Sequence, residues 1–392
     1  MTSEARSTQA QGRFVIDARY VEPKPSGIGR YVEALVERLP QLAPEQPFEL
    51  WTHPARPTPV TLPNVTCRPV AAPSDGLRTL LTPSWLGRLG PADVMHCPFS
   101  LMGRGLRCAT VVTIHDLMWL EQPDLVEGRP LMRRIREPYY RRGVGWALRF
   151  ATRLIAVSEA TRARMIHVAP DCAPRIRVTH NAADPRFTPA ADAPAAAQAA
   201  AEILDSRAPY YLVVGKNEPY KGHDVAIKAF ARSSRDDELL VLIQRANGGR
   251  GLLELAERLG VADRLRFLPT VSSEQLTSLL QGARALLQPS LLEGFGIPAL
   301  EAMACGCPVL ASDTPALVEV MGGAGLHAAV GDDAALGQAL TKLRTPALAA
   351  ELRQRGLERA RVFSWERTAA ETLTIYREAA AAHQRHQRSG AA

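Results

Sequence analysis

Short apolar runs alternate with helix-like patterns along most of the chain. Apolar residues recur at helical spacing in residues 28–39 and 159–167, whereas the runs around them are short and continuous. This alternation predicts parallel strands that are covered by helices on both faces of a sheet. In the first half of the chain we predict strands at residues 14–17, 48–51, 94–96, 110–114, 154–157 and 176–178.

A stretch rich in Ala and Pro, residues 186–208, interrupts this rhythm and is predicted to be a linker. From residue 333 to about residue 382 the pattern is helical throughout, with Ser364 as the predicted N-cap of the last helix. The sequence therefore predicts an α/β protein with two doubly wound domains. The strands of the second domain are expected at residues 210–214, 239–243, 265–267, 285–287 and 309–310.

The composition is that of a globular protein with room for two domains. The chain has 392 residues, of which 46% are hydrophobic and 22% are charged. Residues 1–12 are polar and no uninterrupted apolar run approaches the length of a membrane span, so we expect a cytoplasmic protein. The six cysteines form no paired ligand motif and are expected to be reduced thiols, with Cys305-Gly306-Cys307 packed at a helix end.

Positive charge is concentrated near the end of the first half. The formal net charge is +7, and residues 131–153 contain seven arginines among large apolar residues such as Trp146 and Phe150. A helix with a solvated basic face fits this mixture, and so does a segment that docks on an anionic membrane or a lipid-phosphate acceptor. Nucleic acid is disfavoured, because no helix-turn-helix, zinc-finger or RNA-binding signature accompanies the charge.

Glu293 and Glu301 bracket the segment with the strongest functional signal in the sequence. Pro298 suits the first turn of a helix, so Glu293 should lie on the preceding loop and Glu301 about one turn inside the helix. Backbone amides and the helix dipole would bind an anion, while ionised carboxylates would accept hydrogen bonds from hydroxyls. Such a site could bind a sugar nucleotide. The pair alone is more typical of an ordinary helix start with two solvated acids, and it is the accompanying motifs that favour a ligand site.

Other candidate residues follow the predicted strands, where ligands of open parallel sheets bind. Gly27 and Gly29 open a helix after the first strand and allow close approach of a phosphate or sugar. Val32 occupies the third glycine position of the dinucleotide fingerprint, which disfavours nicotinamide and flavin cofactors. Lys216 and Lys221 follow the first strand of the second half and could neutralise a diphosphate, although loop lysines are often merely solvated.

His115 follows the strand predicted at residues 110–114, a position from which a side chain can enter an active cleft. Its ring can donate or accept a hydrogen bond. A structural role in capping the next turn is equally compatible with the sequence, and His96 ends another strand in the same way. We prefer His115 as the candidate, because Asp116 and Leu117 follow it in a pattern that recurs in a known family.

Several segments match the motifs of that family: Ser26-Gly27-Ile28-Gly29-Arg30-Tyr31, Ile114-His115-Asp116, Ala156-Val157-Ser158, residues 215–222, and residues 293–306 with Pro308-Val309. In these segments the chain resembles retaining glycosyltransferases of family four, in particular bacterial mannosyltransferases, over nearly its whole length. The resemblance implies the α/β GT-B fold, with two facing Rossmann-like, doubly wound parallel-sheet domains and a C-terminal helix that crosses back. The expected parts are an acceptor-side domain at residues 12–185, a linker at 186–208, a nucleotide-sugar-binding domain at 209–364, and a helix at 365–392 that packs back on the first domain.

The resemblance also implies roles for the matching residues. Glu293 would bind hydroxyls of the donor hexose, and Glu301 would bind the nucleotide ribose. Lys221 would contact the diphosphate and His115 would approach the donor sugar, so that these two residues and Glu293 are the expected catalytic group. The remaining expected donor-site residues are Gly27, Gly29, Lys216, Gly294, Phe295, Gly296 and Ile297, the last four through their backbone amides.

Three departures from the family pattern affect the expected donor site. Lys216 stands where the family usually has arginine, which keeps the positive charge but loses the bidentate fork. The segment Asn181-Ala182-Ala183-Asp184 lacks the usual glycine, so its turn cannot rely on a glycine for a positive φ. Pro269 replaces a common glycine near the expected nucleobase site at residues 268–273, which leaves the base open.

The resemblance implies transfer of a hexose, with retention, from a nucleotide-diphosphate sugar to an acceptor hydroxyl in polysaccharide or glycolipid assembly. GDP-mannose is the preferred donor. The alternatives are a UDP-sugar-dependent enzyme with a soluble small-molecule or peptide acceptor, and a catalytically silent GT-B protein that binds sugar nucleotides. No metal ion or other cofactor is expected, because two lysines and a helix N-terminus can stabilise the leaving diphosphate. The expected partners are this donor and a glycan, lipid-linked or small-molecule acceptor, with no nucleic acid and with peripheral contact of residues 131–153 at the inner membrane surface.

Overall fold

The computed structural model describes residues 12–21, 26–56, 60–74, 77–81, 88–127, 129–244 and 249–390. The chain divides into two compact units, each with its own sheet. The first unit contains Met1–Leu120, Arg136–His180 and Trp365–Ala392, and the second contains Glu121–Ile135 and Asn181–Ser364. Residues 121–135 fall in the second unit, although the sequence placed them in the first domain, and their helix Pro123–Val126 contacts the turn Pro219–Lys221.

The sheet of the first unit contains β1 (Phe14–Asp17), β2 (Phe48–Thr52), β3 (Val65–Pro69), β4 (Val94–Cys97), β5 (Ala109–Ile114), β6 (Arg153–Ala156) and β7 (Ile176–Val178). All seven strands are parallel and lie in the order β3-β2-β1-β4-β5-β6-β7. Phe14 of β1 lies between Phe48 of β2 and Val94 of β4. The strand order therefore reverses between β1 and β4, and such a switch point is where doubly wound sheets bind ligands.

Helices of the first unit cover this sheet. The helix Gly27–Leu42 packs against the last helix, Trp365–Gly390, which also contacts β4, β5 and β6. A fully buried cluster that includes Val15, Trp51 and Ile114 forms part of the core. The other helices that lie wholly or mainly in this unit are Leu77–Leu81, Met118–Glu121, Pro130–Phe150 and Glu159–Val168, with 3-10 turns at Ala18–Tyr20 and Pro170–Arg175.

The sheet of the second unit contains β8 (Tyr210–Val214), β9 (Leu239–Ile243), β10 (Leu265–Leu268), β11 (Ala285–Gln288), β12 (Val309–Ser312) and β13 (Leu326–Ala328). These six parallel strands lie in the order β10-β9-β8-β11-β12-β13, so the switch point is between β8 and β11. The helices of this unit are Pro123–Val126, Ala193–Leu204, His223–Ser233, Gly249–Arg258, Ser273–Gly282, Ile297–Ala304, Pro315–Met321, Asp333–Lys342 and Pro346–Ala360, with 3-10 turns at Pro219–Lys221 and Ala262–Arg264.

Two parallel-sheet α/β units confirm the predicted fold class. The stretch predicted as a linker, residues 186–208, instead contains the helix Ala193–Leu204, which packs on the helix Ser273–Gly282. Asp192 caps this helix by accepting a hydrogen bond from the amide of Ala195. Among the helices in the described ranges, none is long and apolar enough to cross a bilayer.

Candidate functional site

Two loops of the second unit lie side by side at the carboxyl edge of its sheet. The loop of residues 215–222 follows β8, and the loop of residues 289–296 follows β11, the neighbouring strand across the switch point. The amide of Leu291 donates a 2.7 Å hydrogen bond to the carbonyl of Tyr220, which ties one loop to the other. The predicted donor-site residues Lys216, Lys221 and Glu293 are all on these two loops.

The carboxylate of Glu293 is the centre of a hydrogen-bonded cluster. Its Oε1 accepts from Lys221 Nζ at 2.7 Å, from Ser290 Oγ at 2.8 Å and from Gln288 Nε2 at 2.9 Å. The side chain of Glu293 is 8% exposed, and that of Lys221 is 17% exposed. Within the described residues no donor contacts Glu293 Oε2. The cluster fixes one carboxylate oxygen and leaves the other available as an acceptor.

Gly222 permits the close approach of the two loops. It caps the helix His223–Ser233 in the left-handed conformation, with φ at +64°. A Cβ atom at this position would lie 2.2 Å from the carbonyl oxygen of Pro289. Only glycine combines this backbone conformation with this contact, so Gly222 holds Lys221 close to Glu293.

The helix Ile297–Ala304 begins directly after the second loop. Gly296 precedes it with φ at +102°, and no side chain caps the helix there. Within the described residues the amides of Gly296 and Ile297 donate to no acceptor, so they are available to an anion at the positive end of the helix dipole. Glu301 lies in the second turn and is only 3% exposed, which excludes the alternative that it is an ordinary solvated acid.

Lys216 and His223 occupy different positions around this cluster. Lys216 is exposed, and its ammonium pairs with no carboxylate of the described residues. His223 is 3% exposed, and its Nδ1 lies 3.0 Å from Gln244 Nε2. Burial, with a further effect of the nearby Lys221 charge, lowers the pKa of His223 to about 4. A neutral His223 that accepts from Gln244 carries its proton on Nε2, so it adds a hydrogen-bond donor to this edge.

His115 directly follows β5 in the first unit, at the carboxyl edge of that sheet. Its Nε2 lies 2.8 Å from the carbonyl oxygen of Pro98, which can only accept, so Nε2 carries the proton. Burial lowers the pKa of His115 to about 4, against the opposing effect of this hydrogen bond. At neutral pH the ring is therefore uncharged and Nδ1 is a hydrogen-bond acceptor.

His96 has a structural role, which removes it as the competitor of His115. The ring is fully buried, and its Nδ1 lies 2.6 Å from the hydroxyl of Tyr376. Its Nε2 lies 2.8 Å from Thr113 Oγ1, which in turn lies 2.9 Å from the hydroxyl of Tyr31. Both ring nitrogens are thus occupied by buried hydroxyls that tie the last helix to the sheet of the first unit.

Gly27 and Gly29 open the helix Gly27–Leu42, as the sequence predicts, but their amides differ. The amide of Gly29 donates a 3.1 Å hydrogen bond to Ser26 Oγ, the side chain that caps the helix. The Gly29 amide is therefore not available to a phosphate in this arrangement. Within the described residues the amide of Gly27 donates to no acceptor, so it is available to a phosphate or a sugar, as expected.

Two family models match the chain. The description "Glycosyltransferase Family 4" applies to residues 25–187, and "Glycosyl transferases group 1" applies to residues 194–361. A D-inositol 3-phosphate glycosyltransferase of Streptomyces avermitilis is 30% identical over 407 residues, which cover 93% of this chain and 85% of that protein. The chain belongs to glycosyltransferase family 4.

Other relatives of this family 4 chain carry two different names. An O-antigen chain mannosyltransferase B of Escherichia coli is 31% identical over 68% of this chain and 70% of its own length. A D-inositol 3-phosphate glycosyltransferase of Salinispora arenicola is 35% identical over 251 residues, and the alignment covers 59% of this chain. The chain spans only 56% of the length of that protein.

Solved structures show the same GT-B fold. The sucrose-phosphate synthase of Thermosynechococcus elongatus superimposes with a TM-score of 0.72 at 21% identity, over 95% of this chain and 100% of that one. HepE of Anabaena, in a crystal structure with UDP-glucose, gives a TM-score of 0.68 at 19% identity, over 92% and 99% of the two chains. These likenesses confirm the predicted GT-B fold of the family 4 chain.

Four residues that shape the site of this family 4 protein were not predicted as site residues from the sequence. Gln288 and Ser290 donate to Glu293, Gly222 allows the loop contact, and His223 adds a buried neutral ring. Gln288 is the last residue of β11, and Ser290 follows within two residues. Polar residues at the carboxyl end of a strand were the signal that selected His115, and the same signal could have selected these two.

Proposed function

We propose that this family 4 chain transfers a hexose, with retention, from a nucleotide-diphosphate sugar to an acceptor hydroxyl. The observation that supports it best is the Glu293 cluster, in which Lys221 and two neutral donors hold Oε1 and leave Oε2 available. The available carboxylate oxygen can accept from a hydroxyl, while the cation and the helix amides can bind an anion. These groups therefore fit a ligand that carries both hydroxyls and a diphosphate. Structural relatives with bound UDP-glucose support the same class of donor.

In the proposed reaction the protein stabilises the charge that develops on the leaving diphosphate. Lys221 and the amides of Gly296 and Ile297 would take this role as preorganised donors. The bond between the anomeric carbon and the phosphate oxygen breaks, and a bond to the acceptor oxygen forms on the same face. The acceptor proton passes to the departing diphosphate. Because these groups can neutralise the diphosphate, we propose that the reaction needs no metal ion or other cofactor.

Glu293 would orient the donor sugar in this scheme. Three donors hold Oε1 in place, which suits a carboxylate that orients a sugar hydroxyl better than a covalent nucleophile. Oε2 would accept from a hexose hydroxyl, and Glu301 would bind the ribose. For His115 we propose contact with the donor sugar through Nδ1, which is an acceptor because Nε2 faces the Pro98 carbonyl.

The preferred donor is GDP-mannose, with an acceptor in polysaccharide or glycolipid assembly. The name of the Escherichia coli relative, an O-antigen chain mannosyltransferase, supports this choice. A UDP-sugar donor with a soluble acceptor is the second candidate. It is supported by the UDP-glucose in the Anabaena structure and by the D-inositol 3-phosphate glycosyltransferase names of several relatives. We further propose a cytoplasmic location, with peripheral membrane contact through the arginine-rich residues 131–153.

A proton NMR assay tests the proposed function. The full chain is incubated with GDP-mannose, GDP-fucose, UDP-glucose or UDP-N-acetylglucosamine, with and without EDTA, and with D-inositol 3-phosphate or a lipid-linked mannoside as acceptor. We expect one donor to give a product that keeps the anomeric configuration of that donor, or slow hydrolysis without acceptor, equally well in EDTA. Binding of a donor with neither transfer nor hydrolysis would instead identify a catalytically silent sugar-nucleotide-binding protein.

A further inference from the structure

A cavity of about 730 Å³ lies in the first unit at the edge where its strands begin. Thr110, near the start of β5, and Arg153, the first residue of β6, lie at its wall, and the ends of the helices Pro130–Phe150 and Trp365–Gly390 complete it. His115 lies five residues beyond Thr110, roughly 17 Å away along an extended strand. The cavity is therefore separate from the proposed reaction edge of the first unit.

The lining of this cavity is strongly basic. Four arginines and two histidines line it, and none of the residues lining it is acidic. Arg153 pairs with Glu378 at 3.1 Å, and Arg175 donates to the backbone carbonyls of Leu148 and Ala151 at 2.5 Å. Arg104 and Arg149 approach no carboxylate in the part of the chain that the structure describes. Their guanidinium charges are uncompensated, so the cavity favours an anion.

Aromatic side chains also line this cavity. Arg104 lies over the ring of Trp146, with its Cζ 5.9 Å from the ring centroid, and Arg149 lies over Phe150 at 5.3 Å. Phe150 is 60% exposed, so its ring is accessible to a ligand in the cavity. The volume is that of a small-molecule site, and its walls suit a ligand with an anionic head and an apolar body.

We propose that this cavity binds a phosphate-bearing amphiphile, which deepens the membrane contact proposed for residues 131–153 and is independent of the proposed glycosyl transfer. Arg104 and Arg149 would hold the phosphate, since guanidinium groups match its oxygen geometry with paired hydrogen bonds. Trp146 and Phe150 would cover the first methylene groups of the chain. A monomeric phosphate amphiphile and a phospholipid headgroup in a bilayer share this chemistry, and the experiment separates them.

The test uses the full chain and two probes, dodecyl phosphate below its critical micelle concentration and vesicles of phosphatidylglycerol in phosphatidylcholine. Calorimetry measures the first and co-sedimentation the second. The test variant is the double substitution Arg104→Gln with Arg149→Gln. The matched control is Arg258→Gln with Arg361→Gln, which removes the same charge from two exposed arginines of the second unit.

We expect the wild type and the control to bind at least one probe, and the test variant to bind it at least 10-fold more weakly. Binding of dodecyl phosphate alone would assign a soluble ligand, and binding of vesicles alone would assign a bilayer headgroup. Either result supports the proposal. Equal binding by the test variant, equal binding of uncharged dodecyl maltoside, or no binding of either probe would overturn it. Sugar-nucleotide binding should be the same in all variants, which keeps this test independent of the proposed function.

Discussion

Lys221 Nζ lies 2.7 Å from Glu293 Oε1, although 72 residues separate the two in the sequence. The parallel order of β8 and β11 brings their loops together, and Gly222 lets the first loop reach the second. The pair is largely buried, and within the described residues the amides of Gly296 and Ile297, at the start of the next helix, donate to no acceptor. Such a pair can exchange part of its interaction for contacts with a diphosphate sugar.

Replacing Lys221 by methionine should abolish most transfer while the fold persists. Loss of one preorganised charge at a developing anion typically costs about 100-fold or more in kcat. Ser290 and Gln288 still hold Glu293, so we expect the unfolding free energy to fall by no more than about 2 kcal/mol. Steady-state kinetics and urea denaturation measure the two effects. Lys228→Met is the matched control, because Lys228 forms a similar 2.8 Å pair with Asp224 on an exposed helix face. Comparable turnover by the two variants would refute the role of Lys221.

Gly222→Ala should destabilise the second unit and loosen the loop contact. An alanine there takes an unfavourable positive φ, and its Cβ meets the Pro289 carbonyl at 2.2 Å. We expect a loss of about 2 to 4 kcal/mol in urea denaturation, because backbone strain and a steric clash act together. Gly331→Ala is the control, since Gly331 has φ at +81° but no neighbouring atom within 4 Å. The unfolding free energy of that variant should fall by only about 1 kcal/mol. Equal losses in both variants would show that the contact with Pro289 adds nothing to the strain of the positive φ.

Two buried histidines, His96 and His223, and the half-buried His115 should make stability fall in mild acid. Burial lowers the pKa of His115 and His223 to about 4 and that of His96 to about 3, whereas unfolded histidines titrate near 6.5. The unfolded state therefore binds protons first, so this stability is fully present above about pH 6.5 and is lost as the pH falls toward 4.

The melting temperature should accordingly fall between pH 7 and pH 5, a range in which most carboxylates stay ionised. In differential scanning calorimetry, the melting temperature of His115→Gln should change less with pH than that of the wild type. His386→Gln, a substitution of an exposed histidine, should leave this pH dependence unchanged. A melting temperature that is independent of pH across this range would show that these rings are not held neutral.

Most of the fold was predictable because the central strands are short, apolar and buried on both faces. β1 and β9, for example, are fully buried and lie where their apolar runs predict. β3 and β13 escaped prediction because their sequences, Val-Thr-Cys-Arg-Pro and Leu-His-Ala, contain no continuous apolar run. Their pairing is set by the neighbouring strand more than by their own sequence.

The sequence did not predict the helix Ala193–Leu204, because a stretch rich in Ala and Pro is also typical of a linker. Pro194 instead occupies the first turn, where its missing amide costs nothing, and Asp192 is the cap. At the candidate site, the motif predicted Glu293 and Lys221, but the sequence could not show their contact. That contact depends on strand order and on the positive φ of Gly222, which only the tertiary structure sets.

Calorimetric titration of sugar nucleotides into the wild type and into Glu293→Gln tests the central claim most directly. The titrants are GDP-mannose, GDP-fucose, UDP-glucose and UDP-N-acetylglucosamine, each compared with its bare nucleoside diphosphate, and Lys228→Met is again the control. If Glu293 binds the donor hexose, the variant should bind the preferred sugar nucleotide at least about 10-fold more weakly, a loss of roughly 1.4 kcal/mol. Its affinity for the bare diphosphate should be unchanged or higher, because Lys221 is released from the carboxylate charge. Equal affinity of the wild type and Glu293→Gln for that sugar nucleotide, or failure of the wild type to bind any of the four, would contradict the account.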